Sequence, residues 1–172
     1  MIDTERMTIR RAEPEAINDI IALEGHPDNR DHLWQGTYAD HLAEISDPNH
    51  LLLVFRTKAD SALVGFALVR LDRHSSWFEL RRIAVSIKKQ GYGREAMLAL
   101  FAHAFDTLGM NKVWLDVYPH NTVGIRLYES LGMHRDGILR ENYRSSSLGF
   151  LDQIIYSMLR REYVEIKPTW SK

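Results

Sequence analysis

Two glycines, Gly91 and Gly93, sit in the basic run Lys88-Lys89-Gln90-Gly91-Tyr92-Gly93-Arg94, between an apolar strand-like segment and an amphipathic helix-like one. Glycine lets backbone approach a ligand where a side chain would block it. The first N–H groups of the following helix have no intrahelical partner, and with the helix dipole they favour an anion. The chemistry that fits residues 88–95 is therefore binding of a phosphorylated ligand. A tight strand-to-helix connection without a ligand is the alternative. Further on, Asn121 and Tyr128 are seven residues apart, about two helical turns, and share nearly one face.

The composition removes other chemistries. The chain has 172 residues, no cysteine and a formal net charge of −1. No thiolate nucleophile, disulfide or thiolate metal site is available. No global basic field marks a nucleic-acid partner. His26, His32 and His41 cluster in sequence, but no pair has the i, i+4 spacing of a helical metal motif, so no metal is expected. No stretch approaches the roughly 18–20 apolar residues that span a membrane, and the polar N-terminus lacks a signal-like run. A cytoplasmic location without membrane attachment is expected. Gly91-Tyr-Gly93-Arg-Glu-Ala96 also fits a dinucleotide-binding fingerprint, with Asp116 as the ribose ligand. Its context argues against that reading, because hairpin strands precede the loop where a βαβ series belongs.

With these two motifs on one chain, the sequence resembles the GCN5-related N-acetyltransferases. Lys88–Glu95 resembles their acyl-CoA-binding motif, and Leu115-Asp-Val-Tyr-Pro-His-Asn121 through Tyr128 to Gly132 resembles their second motif. Gly137-Ile-Leu-Arg-Glu and Asp152–Leu159 resemble the branch that acetylates ribosomal-protein N-termini and small amines. The pattern Gln/Arg-x-x-Gly-x-Gly/Ala is met imperfectly. From Lys88 the first position is Lys, and from Gln90 the last is Glu95, whose charge is unfavourable beside a pyrophosphate unless it points away or pairs with Arg94.

The resemblance implies transfer of acetyl from acetyl-CoA to a primary amine by direct attack in a ternary complex. It also allows a non-catalytic acyl-CoA sensor of the same fold. It places Ile83, Ala84 and Val85 along the pantetheine arm, Lys89, Gln90, Gly91, Tyr92, Gly93, Arg94 and Glu95 at the pyrophosphate, and Asn121 on the arm. Tyr128 is implied as general acid; with a reference pKa of ~10 it is protonated at neutral pH. Packing beside Leu127 and Leu131 is its other reading. Glu79 stands where the family's histone-acetylating branch has a base. Alternation puts it on the side of Arg81, Ile83 and Val85 unless a bulge intervenes, and Arg81 would lower its pKa. Base, substrate anchor and surface ion pair all stay open for it. Trp34, Tyr38 and Tyr143 fall in segments that border the acceptor cleft in the family. The acceptor is a small-molecule amine or a protein N-terminal amine.

These residues need a frame that holds a strand, a glycine turn and two helices together. Alternation and helical spacing predict strands over 7–11, 51–55, 62–71, 77–85, 113–118, 133–140 and 150–159. Helices fall over 14–25, 93–108 and 122–131, and the weaker pattern over 26–47 reads as a loop and a second helix ending before Pro48. The order predicts an α+β fold, a mixed and mostly antiparallel central sheet flanked by helices, as one domain over 1–172. Residues 160–172 read as a peripheral tail. Edge strands near the C-terminus suit a homodimer.

Overall fold

The computed structural model describes residues 2–170. Eight strands form one sheet, β1 (Ile2–Asp3), β2 (Met7–Arg11), β3 (His50–Thr57), β4 (Leu63–Asp72), β5 (Trp77–Val85), β6 (Lys112–Val117), β7 (His134–Ser145) and β8 (Gly149–Leu159). Their spatial order is β1-β2-β3-β4-β5-β6-β8-β7. All neighbours are antiparallel except β5 and β6, which run parallel because helix α3 (Tyr92–Ala102) crosses between them. The predicted α+β architecture is the one observed.

Each face of the sheet is covered. On one face, α3 and its continuation His103–Thr107 bury Ala96, Met97, Leu100, Phe101, Ala104 and Phe105 against Phe55, Phe78, Leu80, Val113 and Leu115. Helix α4 (Thr122–Ser130) closes the same face with Tyr128. On the other, α1 (Ile17–Gly25) sets Ile20 and Leu23 over Leu52, Val54, Phe66 and Leu68. Helix α2 (Tyr38–Ser46) starts with a capping box in which Thr37 and Asp40 satisfy each other's backbone N–H groups.

Two expectations change. Of the segment 160–172, residues 160–170 are not peripheral, and 171–172 lie outside the described residues. The segment forms α5 (Arg160–Ile166), Tyr163 is buried and stacks 4.7 Å from Phe105, and Trp170 stacks on Phe101. Tyr163, Ile166 and Trp170 recur at helical spacing, a pattern too short to stand alone but sufficient once α3 offers an apolar back. The predicted loop over 141–149 is mostly strand, because β7 continues to Ser145 and pairs with β8 through a tight turn.

Candidate active site

The site begins where the sheet opens. Strand β5 pairs with β4 as far as Val85, but with β6 only from Trp77 to Leu80. Past Leu80 and Leu115 the two parallel strands part. The register of β4 against β5 shifts between Leu68 and Val69, so Arg81 is an extra, bulged residue. Beyond it, the N–H of Ser86 donates to Val64 O. Backbone alternation then turns the N–H groups of Arg82 and Ala84 toward β4, and those of Ile83 and Val85 toward the opening. The opening widens into a cavity of about 890 Å³ that runs from the start of α3 to the ends of β6 and β7.

At one end lies the glycine loop. Gly91 caps α3 with φ +82°, the left-handed region that favours glycine, and Lys89 has φ +59°. Gly91 offers no side-chain cap, so the N–H groups of Tyr92, Gly93 and Arg94 are unsatisfied by the helix. Gly93 has ordinary room for a Cβ on the protein side, 3.8 Å from Leu127. Lys89, Gly91, Tyr92, Gly93 and Arg94 line the cavity, and Lys88 reaches across to the Asn29 carboxamide.

Gln90 and Glu95 do not line it. Glu95 neither faces an anion site nor pairs with Arg94. It accepts from the Arg6 backbone N–H at 2.8 Å, Arg6 Nε at 2.7 Å and the Thr4 hydroxyl. Burial would raise its pKa, but those bonds outweigh burial and lower it. Arg6 also donates to Gln90 O at 2.8 Å and lies 4.3 Å over the Tyr92 ring. The N-terminal strand region thus holds the loop from behind.

At the centre, Tyr128 is buried against Tyr156 and borders the cavity. Burial, and then the charge of Asp116, raise its pKa, so the phenol keeps its proton. Asn121 caps α4, its Oδ1 accepting from Gly124 N–H at 3.0 Å. A side-chain carbon at Gly124 would sit 2.9 Å from the Asn121 carboxamide, which holds that turn tight.

Glu79 departs from the expected geometry. The bulge at Arg81 breaks alternation, so Glu79 shares a face with Arg82 and Ala84 and not with Ile83 and Val85. Its partner is not Arg81 but Arg70 on β4, whose Nε donates at 2.6 Å. One carboxylate absent from the predicted catalytic set lies nearby. Asp116 extends from β6 on the face opposite Val113, Leu115 and Val117, takes a hydrogen bond from Gln153, and lines the cavity. Desolvation, then the charge of Glu79, raise its pKa against the opposing bond from Gln153. The sequence carried a signal for it, a lone acid on the polar side of an alternating strand next to the strand bearing Glu79.

The far wall is aromatic. Trp34 borders the cavity and covers Arg82 at 4.7 Å. Tyr143 does so too, stacking 5.2 Å from Tyr118, which in turn stacks on His120. Tyr38 is 44% exposed on the first turn of α2 and does not line the cavity. Beneath Trp34, the buried Arg82 pairs with Glu24 at 2.7 Å and with Glu44, and His41 bonds both glutamates. Burial alone would lower the pKa of His41, but its bonds to Glu24 and Glu44 prevail and raise it to about 9.

Residues 14–133 match the model of the Acetyltransferase (GNAT) family. The chain belongs to that family. It is an acetyltransferase that moves acetyl to an amine, as the family does. The "[Ribosomal protein bS18]-alanine N-acetyltransferase" of Escherichia coli K12 is 28% identical over 133 residues, 74% of this chain and 86% of that protein. The "SPbeta prophage-derived uncharacterized N-acetyltransferase YokL" of Bacillus subtilis is 27% identical over 92% of this chain and 93% of its own. An uncharacterized N-acetyltransferase p20 of Bacillus licheniformis is 34% identical, but the match spans only 41% of that protein and 43% of this chain. Among solved structures, a GNAT-family acetyltransferase from Bacillus anthracis superposes with TM-score 0.78 at 19% identity, covering 94% of this chain and 99% of that one. The spermidine/spermine N-acetyltransferase SpeG of Vibrio cholerae gives TM-score 0.77 at 19% identity, covering 93% and 96%. Among the described residues, no helix is long and apolar enough to cross a membrane.

Proposed function

We propose that this chain binds acetyl-CoA along the β5–β6 opening and passes its acetyl group directly to a primary amine entering from the aromatic wall. One observation carries the reading: a single cavity joins the uncapped start of α3 to Tyr128 and to the acids of β5 and β6. The N–H groups of residues 92–94, with Lys89 and Arg94, suit a pyrophosphate. The inward N–H groups of Ile83 and Val85 suit the pantetheine arm and the thioester carbonyl, whose developing charge a fixed donor stabilises. Acetyl-CoA supplies an acyl group activated as a thioester.

Asp116 is the better placed base, since its carboxylate has a raised pKa while Glu79 is held by Arg70. Over one turnover the ammonium nitrogen sheds two protons, one to the base before attack and one as the amide forms. The C–S bond breaks as the C–N bond forms. Tyr128 gives its proton to the departing sulfur and is reprotonated from the nitrogen's second proton, so one proton reaches solvent. An α-amine near pKa ~8 costs about 1.4 kcal/mol to deprotonate at pH 7 and a lysine-like amine about 4.6 kcal/mol, which sets how much the base must supply.

The acceptor reading covers small amines and protein α-amines, in line with the names of the relatives. The exposed Ile138 and Leu139 on edge strand β7 suit a homodimer, and the cysteine-free composition suits the cytoplasm. The test is an amine panel with acetyl-CoA, read as thiol release, beside calorimetric binding of acetyl-CoA. Binding with turnover on some amine supports the reading. Binding with no turnover on any amine favours a sensor, and no binding overturns both.

A further inference from the structure

The charged groups on the cavity wall are mostly spoken for, and the exceptions are informative. Arg82 is matched by Glu24 and Glu44, and Glu79 by Arg70. Lys88 reaches Asn29 and feels the charge of Asp28. Lys89 and Arg94 belong to the glycine-loop end. Two groups are left at the acceptor end, Arg81 and Asp116.

The arginine ion pairs of the described residues involve Arg6, Arg10, Arg30, Arg70 and Arg82, and none involves Arg81. Arg81 is exposed, lines the cavity, and is close enough to Asp116 for its charge to act on that carboxylate. Its place on the bulge explains its freedom. The extra residue is outside the β4–β5 register, so its side chain escapes the alternation that gives Glu79 and Arg82 their partners.

An acceptor made only of amines and methylenes can answer Asp116 but leaves the cation at Arg81 without a counter-charge. One acid is already neutralised by an arginine, and a second arginine stands free. A molecule carrying an ammonium and a carboxylate presents the opposite charge to both Asp116 and Arg81. A guanidinium is also the side chain best shaped to hold a carboxylate, through two parallel N–H bonds. We propose that the acceptor is an amine that also bears a carboxylate, an amino-acid-like molecule, with Arg81 holding the carboxylate and Asp116 facing the nitrogen. This inference rests on the acetyl-transfer reading above and narrows its substrate class.

The experiment compares each protein amino acid with its own amide, alongside spermidine and C-terminally amidated dipeptides whose second residue is Asp or Glu. Thiol release gives kcat/KM, and calorimetry gives the acetyl-CoA dissociation constant. The wild type is expected to prefer at least one free acid over its amide by about 10- to 100-fold, the span of one charge-assisted contact. The amide's amine is the more easily deprotonated, so this preference is the harder result to obtain. In Arg81→Ala the acid-to-amide ratio falls to near one with acetyl-CoA affinity unchanged, and Arg81→Lys restores part of it. A preference for acidic dipeptides over free amino acids keeps the Arg81 contact but overturns the small acceptor.

Equal rates on acid and amide, spermidine as the best acceptor, or an Arg81→Ala loss shared by acid and amide overturns the inference. So does binding of acetyl-CoA with no amino acid acetylated. Failure to bind acetyl-CoA at all overturns the underlying reading instead, and calorimetry separates the two failures.

Discussion

The two ends of the cavity are built on different plans. The glycine-loop end is made of consecutive residues whose backbone does the binding, braced from behind by Arg6 and Thr4. The acceptor end gathers side chains from β5, β6, β7, β8 and the segment before α2. Among them are Arg82 and Asp116, held by partners far away in sequence, and Arg81, which has no ion-pair partner among the described residues. A backbone site tolerates side-chain exchange as long as the turn forms. A side-chain site fails or changes specificity one residue at a time.

Breaking the shared middle gives the largest effect. Tyr128→Phe is expected to lower kcat by about 10²- to 10⁴-fold with acetyl-CoA affinity retained in calorimetry. Unchanged turnover removes Tyr128 from the chemistry. Next, Asp116→Asn against Glu79→Gln sharpens the acceptor end. The first is expected to cost about 10²-fold in kcat/KM and to erase the acidic limb of the pH–rate profile. The second leaves that limb in place. The reverse outcome hands the base to Glu79.

The glycine-loop end responds more mildly. Gly91→Ala forces a side chain into φ +82° and is expected to cost about 1–2 kcal/mol of stability, read by chemical denaturation, and to weaken acetyl-CoA binding. Arg6→Ala is expected to raise the KM for acetyl-CoA about threefold while leaving acceptor KM alone; an equal rise in both removes it from the loop's support. The smallest effect concerns pH. The folded pKa of His41, about 9, lies above its unfolded value of ~6.5. Its contribution is complete below pH 6.5 and disappears as pH rises through about 9. The melting temperature of wild type is expected to fall across that window more than that of His41→Gln. Parallel curves refute the pairing.

The same division explains what the sequence disclosed. The loop at 88–94 and the cap at Asn121 are local, so glycine, basic charge and helical spacing announce them. Glu95 looked misplaced because the partners that explain it, Thr4 and Arg6, lie about ninety residues away. Alternation alone put Glu79 on the face of Ile83 and Val85 unless a bulge intervened; a bulge does intervene, at Arg81, and no residue type marks it. Asp116 was read only as a ribose ligand, since its neighbours Gln153 and Glu79 come from other strands. The mixed, mostly antiparallel sheet was legible because it follows from the order of elements along the chain; the seating of β8 between β6 and β7 was not. Tyr38 was grouped with Trp34 by proximity in the chain, yet the start of α2 turns it outward.

The short ladder between β5 and β6 has a mechanical meaning. Only the rungs from Trp77 to Leu80 and Lys112 to Leu115 join the block β1–β5 to the block β6–β8 within the sheet. The sheet is two plates joined by a short ladder, with the crossover helix as strap. A ligand lying in the gap touches both plates and acts as a rivet, so amide exchange at Ile83 and Val85 and along the free end of β6 should slow together when acetyl-CoA binds.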